Sequence, residues 1–252
     1  MRQLYPVVLD DIDPAKCYED PRRRQPRDRP YVFVNMVVSV DGATVVEGVT
    51  EQLGSAGDRY IFFLLRSLAD GILVGAETVR SERYGPPKIR EAFRPGRAAR
   101  GQPPMPRIAV VTRSLRLDWD APLFRDGRST PFVLVPASAN AERLDQARQV
   151  AEVVAIGEPE LDLPEALRTL SAAGIHALLC EGGPTLNASL LGRGLVDELC
   201  LTVSPTLVGG GGGARIMGSS FLPEPIGLEL AHVLEEAGSL FLRYLLPTTR
   251  TA

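Results

Sequence analysis

Short apolar runs alternate along this chain with amphipathic stretches. Tyr31-Val32-Phe33-Val34-Asn35-Met36-Val37-Val38-Ser39-Val40 is β-branched and apolar at almost every position. A run without alternation is what a strand buried on both faces requires, so it is read as a central strand. Shorter runs of the same kind predict strands over 71–74, 107–111, 131–135, 152–156, 176–180 and 197–203. Between them, helices are predicted to begin near Asp58, Thr78, Asn140, Asp162 and Pro184. Strand and helix in alternation build a parallel sheet covered on both faces. The end of the chain differs: 228–234 and 240–245 flank Glu235-Glu236-Ala237-Gly238 and predict a hairpin. The predicted fold class is therefore α/β, with a central mixed, mostly parallel sheet, helices on both faces and a C-terminal antiparallel hairpin.

Two stretches carry no periodicity. Residues 1–29 mix Asp, Pro and Arg, including Pro21-Arg22-Arg23-Arg24, and read as an N-terminal arm, at most partly ordered against the body. A single domain over 30–252 follows. Residues 84–106 are rich in Pro, Gly and Arg and too long for an ordinary connection, so they read as a mobile lid or an inserted loop. The glycine run from Gly209 to Gly213 reads as a flexible turn.

Composition narrows the function classes. At 252 residues and 44% apolar content the chain can bury one large α/β core. A net charge of −3 supplies no general basic field, so neither nucleic acid nor a membrane surface is an expected partner. No long apolar run predicts a membrane span or an export signal, and three cysteines without zinc spacing fit a reducing cytoplasm. Lys16 and Lys88 lie in polar, Pro-flanked stretches, which disfavours a Schiff-base mechanism, and His176 and His232 sit beside apolar strands as structural imidazoles.

The chemistry gathers at glycine-marked strand ends. In Leu178-Leu179-Cys180-Glu181-Gly182-Gly183-Pro184-Thr185-Leu186 an apolar strand runs into two glycines and then into Pro at a first helical position. Glycines admit a ligand close to the backbone, and a helix start offers free N–H groups to a phosphate. The same residues also serve as an ordinary tight turn. Ile72-Leu73-Val74-Gly75-Ala76-Glu77-Thr78-Val79 repeats the design, and a third strand ends in Val111-Thr112-Arg113-Ser114. Two hydroxyls and a guanidinium suit an adenosine 2′-phosphate, which favours NADPH over NADH. Neither a Gly-x-Gly-x-x-Gly after the first strand nor a P-loop is present. Asp41, Asp58, Glu77 and Glu181 lie beside these turns or on the first strand. Reduction of a C=N bond needs a hydride and a proton, and a partly buried carboxyl can supply the proton.

Taken together, Pro30-Tyr31-Val32, Asn35, Ser39-Val40-Asp41-Gly42, Gly75 to Val79, Glu181 to Leu186 and Leu195-Val196-Asp197-Glu198-Leu199 resemble the riboflavin-biosynthesis pyrimidine reductases. The resemblance implies a dihydrofolate-reductase-like fold, NADPH, a homodimer, and reduction of a phosphoribosylamino-pyrimidinone to its ribityl product. It implies that Gly75, Thr78, Val79, Thr112, Arg113, Ser114, Gly182, Gly183, Pro184, Thr185 and Leu186 line NADPH. Asn35, Ser39 and Arg59 would meet the substrate, Arg59 its phosphate, with Asp41 and Glu181 facing it, and the catalytic carboxyl is expected among Asp41, Asp58 and Glu181. No residues match the zinc deaminase that two-domain members carry. Glu77, Ala43 and Ser81-Glu82-Arg83-Tyr84 depart from the family pattern, and Asp58 stands where these reductases have a small residue. A carboxylate there can accept hydrogen bonds from an aminopyrimidine edge, so a pterin such as dihydrofolate stays open as substrate. So does a silent nucleotide-binding protein that kept only the cofactor cleft.

Overall fold

In chain order the strands are β1 (Arg2–Tyr5), β2 (Tyr31–Ser39), β3 (Gly71–Gly75), β4 (Arg107–Val111), β5 (Phe132–Val135), β6 (Glu152–Ala155), β7 (Ala177–Cys180), β8 (Glu198–Ser204), β9 (Glu229–Glu236) and β10 (Ser239–Leu245). The helices are α1 (Pro14–Tyr18), α2 (Ala56–Leu68), α3 (Ala76–Ser81), α4 (Arg94–Ala99), α5 (Pro122–Arg125), α6 (Ala141–Arg148), α7 (Leu163–Ala172) and α8 (Pro184–Leu191). This computed structural model describes residues 1–25, 27–46, 50–209 and 215–247. Most of the expected Gly209 to Gly213 turn lies outside the described residues. The chain forms two units, one of Met1–Pro21, Val32–Leu65 and the described residues from Pro184 onward, the other of Arg22–Tyr31 and Arg66–Gly183.

The second unit holds β7-β3-β4-β5-β6 in that order, every pair parallel. Ile72, Leu73, Val74, Val110, Phe132, Leu134, Leu178 and Leu179 are all buried. A parallel strand with both faces covered must be apolar on both, which is why these segments read as unbroken runs. Each such side chain contributes about 1.5–3 kcal/mol by leaving water. The predicted starts at Asn140 and Asp162 have side-chain caps, whereas the helix expected near Thr78 begins at Ala76 after Gly75 with none. The Asn140 side chain accepts from Arg143 N at 3.0 Å and the Asp162 side chain from Glu165 N at 3.0 Å.

The first unit is built the other way. Its order is β1-β9-β10-β8-β2, antiparallel except for β2 beside β8. The β9–β10 pair is the expected hairpin, turning through Ala237 and Gly238 at positive φ. Along β8 and β10 buried positions alternate with partly exposed ones, the period of a half-covered sheet. Gly57 lets α2 lie against this sheet, since a Cβ there would stand 2.8 Å from the Phe241 ring. No helix among the described residues is long and apolar enough to cross a membrane.

Two stretches carry more structure than their composition indicates. The N-terminal stretch is more than an arm: β1 pairs with β9, and Tyr18 is buried with its ring edge-on to His232 at 4.6 Å. Arg243 ties it down further, pairing with buried Glu198 through Nε at 2.9 Å and with Asp20 through Nη2. The 84–106 segment, read as a lid or an inserted loop, is tied into its unit by hydrogen bonds. It contains a 3-10 turn at Glu91–Phe93 and α4, from which Arg97 reaches inward with 1% of its surface exposed. Arg97 donates to the carbonyls of Ser67 at 3.0 Å, Ala69 at 2.7 Å and Pro103 at 2.8 Å. Arg100 adds a bond to Ser67 O at 3.0 Å, and Gln102 one to Leu68 O at 3.1 Å. The last carbonyls of a helix lack partners within it, so this segment is the C-cap of α2.

Candidate active site

Parallel pairing puts the carboxyl ends of β7, β3 and β4 side by side, with Leu73 opposite Cys180 and Gly75 opposite Val111. Ligands of open α/β sheets bind outside such ends. Glu181 to Gly183, Gly75 to Val79 and Thr112 to Ser114 all emerge there, so the structure brings these candidates together in the second unit. Glu181 N donates to Leu73 O at 3.0 Å and Gly75 N to Gly182 O at 2.7 Å. Gly182 has φ +83° and is joined to Gly183 by a cis peptide. A Cβ on Gly183 would stand 2.8 Å from Thr78 Oγ1, and one on Gly75 3.5 Å from Gly183 N. A side chain at Gly183 would crowd the Thr78 hydroxyl while one at Gly75 would make an ordinary contact, and bare backbone at adjoining strand ends is the arrangement a pyrophosphate needs.

The flanking residues divide. Val79, expected to line the cofactor, is buried, while Thr78 is partly exposed. Thr112 is buried too, its hydroxyl oxygen accepting from Leu115 N at 3.0 Å. Arg113 and Ser114 are exposed, and the Ser114 carbonyl is gripped by Arg143 at 2.8 Å. An exposed guanidinium beside two hydroxyl-bearing residues fits a phosphate monoester. Glu77 points to solvent and pairs with Arg80.

Glu181 is bound on several sides. Arg66 donates to it through Nε and Nη2, both at 2.7 Å, and the Tyr84 hydroxyl donates to Oε2. The two charged side chains are only 12% and 4% exposed. Burial, and then the Glu181 charge, push the Tyr84 phenol well above its usual range, while the Glu181 anion keeps Arg66 firmly cationic against the cost of burial. The neighbouring Cys180 thiol is pushed up to about 12 by burial and is inert at neutral pH. Neither Arg66 nor Tyr84 stands out in the sequence as a site residue. A signal for Arg66 existed: it interrupts the apolar run Ile61-Phe62-Phe63-Leu64-Leu65 before Leu68. Tyr84 closes the Ser81-Glu82-Arg83-Tyr84 stretch beyond α3 that departs from the family pattern.

The first unit carries the other candidates. Asn35 lies half-buried on β2, opposite Cys200. Ser39 is buried and donates to Asp41 Oδ1 at 2.6 Å while accepting from Ala43 N at 2.9 Å. Asp41 also accepts from Val208 N at 3.2 Å and Gly209 N at 2.8 Å. These bonds, the Ser39 hydroxyl first, lower its carboxyl to about 2, so it stays ionised and latches two loops. Asp58 behaves oppositely. It sits in the first turn of α2, where burial raises its pKa against a hydrogen bond from the buried Thr202 hydroxyl and the charge of Arg59. Arg59 is exposed.

Pro184, Thr185 and Leu186 open α8, whose buried Asn187 was missed in the sequence. Asn187 Nδ2 donates to Ile216 O at 3.0 Å and to the Met36 sulfur at 3.4 Å, so it fastens the loop that returns after the glycine run. An amide inside an apolar helical stretch is its only sequence trace.

The model of the RibD C-terminal domain family matches residues 30–239. The chain is 33% identical over 196 residues to the 2,5-diamino-6-ribosylamino-4(3H)-pyrimidinone 5′-phosphate reductase of Archaeoglobus fulgidus, covering 77% of this chain and 89% of that one. The protein of the same name from Aquifex aeolicus is 32% identical over 73% of this chain and 80% of its own. Among solved structures, a pyrimidine reductase-like protein from Corynebacterium diphtheriae superimposes with a TM-score of 0.77 at 28% identity, covering 86% of this chain and 92% of that one.

Proposed function

The chain belongs to the RibD C-terminal domain family, and from that premise we propose that it is an NADPH-dependent reductase of 2,5-diamino-6-ribosylamino-4(3H)-pyrimidinone 5′-phosphate or its deaminated uracil counterpart. The observation that carries the cofactor half is the backbone cradle formed by Gly75, Gly182 and Gly183 at adjoining strand ends. Thr78 borders it, and Arg113 and Ser114, exposed after buried Thr112, supply the grip on a 2′-phosphate that selects NADPH, while Pro184, Thr185 and Leu186 follow Gly183 in the chain and join the cofactor set on family grounds. When bound, NADPH supplies the hydride.

A glycosylamine opens to an imine, and reduction puts a hydride on its carbon and a proton on its nitrogen. The chain must give that proton. Of the three carboxyls, Asp58 is the one suited to donate it, because its environment favours the protonated form, whereas Asp41 is held ionised and Glu181 is ion-paired. Arg59 offers an exposed guanidinium for the substrate phosphate, with Asn35 and Ser39 as further substrate contacts. A homodimer and a cytoplasmic setting belong to this reading on family grounds alone.

Asp58 also supports a second reading, reduction of a pterin such as dihydrofolate, since a carboxyl there matches an aminopyrimidine edge. Oxidation of NADPH, followed side by side with the ribosylaminopyrimidine phosphate and with dihydrofolate, tests both. Turnover with the first alone upholds the leading reading. Turnover with dihydrofolate alone replaces it by the second, and turnover with neither removes both.

A further inference from the structure

The Gly182–Gly183 turn has no side chain of its own with which to hold its place. Its steadiness must come from what flanks it. On the amino-terminal side stands Glu181, fixed through its backbone N to Leu73 O at 3.0 Å and through its carboxylate to Arg66 and Tyr84. A carboxylate offers about four acceptor directions, and Arg66 and Tyr84 take three of them here. The Arg66 guanidinium also lies over the Tyr84 ring, 5.7 Å from its centroid. Arg66 is in turn held from behind, because its helix end is capped by Arg97, Arg100 and Gln102. The turn itself has little room to shift, with the Gly183 Cβ direction 2.8 Å from Thr78 Oγ1.

We infer that Arg66 and Tyr84 are positioning residues for the cofactor, forming with Glu181 a buried strut that sets the Gly182–Gly183 turn. Glu181 is then a fixed anion, not the acid of the reaction. This rests on the NADPH reading above.

The test uses the full chain in four forms besides wild type: Tyr84→Phe, Arg66→Lys, Glu181→Gln, and the doubly substituted Arg66→Met with Glu181→Gln, which leaves no buried charge unpaired. NADPH fluorescence titration gives Kd, and steady-state kinetics over pH give KM and kcat. The Kd for NADPH should rise about 3- to 10-fold in Tyr84→Phe, the scale of one ordinary hydrogen bond lost. Arg66→Lys, which keeps the charge and loses the two-pronged grip, should weaken NADPH by a similar factor, and the double form by more. KM for NADPH should follow Kd and move further than kcat, and the pH profile of kcat in Glu181→Gln should keep the wild-type shape. Unchanged Kd across all four forms overturns the inference. So does a Glu181→Gln form that binds NADPH like wild type yet loses kcat, because Glu181 is then the catalytic group. Wild-type protein that leaves NADPH fluorescence unchanged overturns the cofactor reading first, and the strut with it.

Discussion

The two ends of α2 are finished in opposite ways. At its start the Ser55 hydroxyl oxygen accepts from Asp58 N at 3.0 Å, and the Asp58 carboxyl is left half-buried with its pKa raised. At its far end the carbonyls of Ser67, Leu68 and Ala69 receive arginine and glutamine donors, and Arg66 spends its charge on Glu181. At one end burial raises the pKa of a carboxyl; the other end is saturated with donors. A carboxyl's chemistry is decided by its burial and by the donors around it, not by the prominence of its motif. Glu181 stands in the most recognisable stretch of the chain and is held by Arg66 and Tyr84, whereas Asp58 stands in an ordinary helical turn and has its pKa raised.

The harshest way to break the contrast is to empty the saturated end. Arg97→Ala removes the donors from buried carbonyls and should cost about 3 kcal/mol or more, read as a fall in the urea midpoint. Next comes the opposite end. Asp58→Asn should lower kcat about 100-fold, the scale of a lost general acid. In wild type the proton is available below the raised pKa of Asp58 and withdrawn above it, so kcat should fall as pH rises through that value, and the substitution should abolish this limb. The same substitution should stabilise the fold above that pH, since it removes a desolvated charge; a midpoint that drops instead would mean that Asp58 is structural.

Smaller effects sharpen the comparison. An alkaline absorbance titration should show one tyrosine ionising well after the others and missing in Tyr84→Phe. A phenol raised on folding adds stability that is present below about pH 10 and lost as pH climbs through the folded value. Smallest is Asp41, a third carboxyl in a third setting. Its NMR titration should centre near 2 and move upward in Ser39→Ala. Its pKa is depressed on folding, so the stability it adds is complete above about pH 3.8 and lost as pH falls through 2.

Much of this was legible in advance where burial is two-sided. Continuous apolar runs such as Ile72-Leu73-Val74 and Phe132-Val133-Leu134-Val135 admit few readings, and Asn140 and Asp162 announce their helices because capping needs a short polar side chain at a fixed place. The double-glycine turn was visible for the same reason, that only glycine suits the backbone there. What stayed hidden depends on partners far along the chain. Arg97 looks like one more solvated arginine in a polar segment until the end of α2, 28 residues earlier at Ala69, supplies the carbonyl. Edge strand β1 pairs through its backbone, which leaves little mark on four residues. Glu181 was recognised as a site residue, yet its engagement by Arg66 and Tyr84 appears only in three dimensions.

The cap on α2 also bears on how this protein meets a protease. Between β3 and β4 the chain presents Arg80, Arg83, Arg90, Arg97 and Arg100, a row of cleavage points for an enzyme that cuts after basic residues, while Arg94 is protected by the proline that follows it. Arg90 is exposed, while Arg97 is sealed and the amides of Arg100 and Gln102 bond back to the Arg97 carbonyl at 3.1 and 3.0 Å. A stretch that looks like the weakest point in the polypeptide should therefore be nicked early at Arg90 and late at Arg97, and the delay between the two cuts measures how often the end of α2 comes undone.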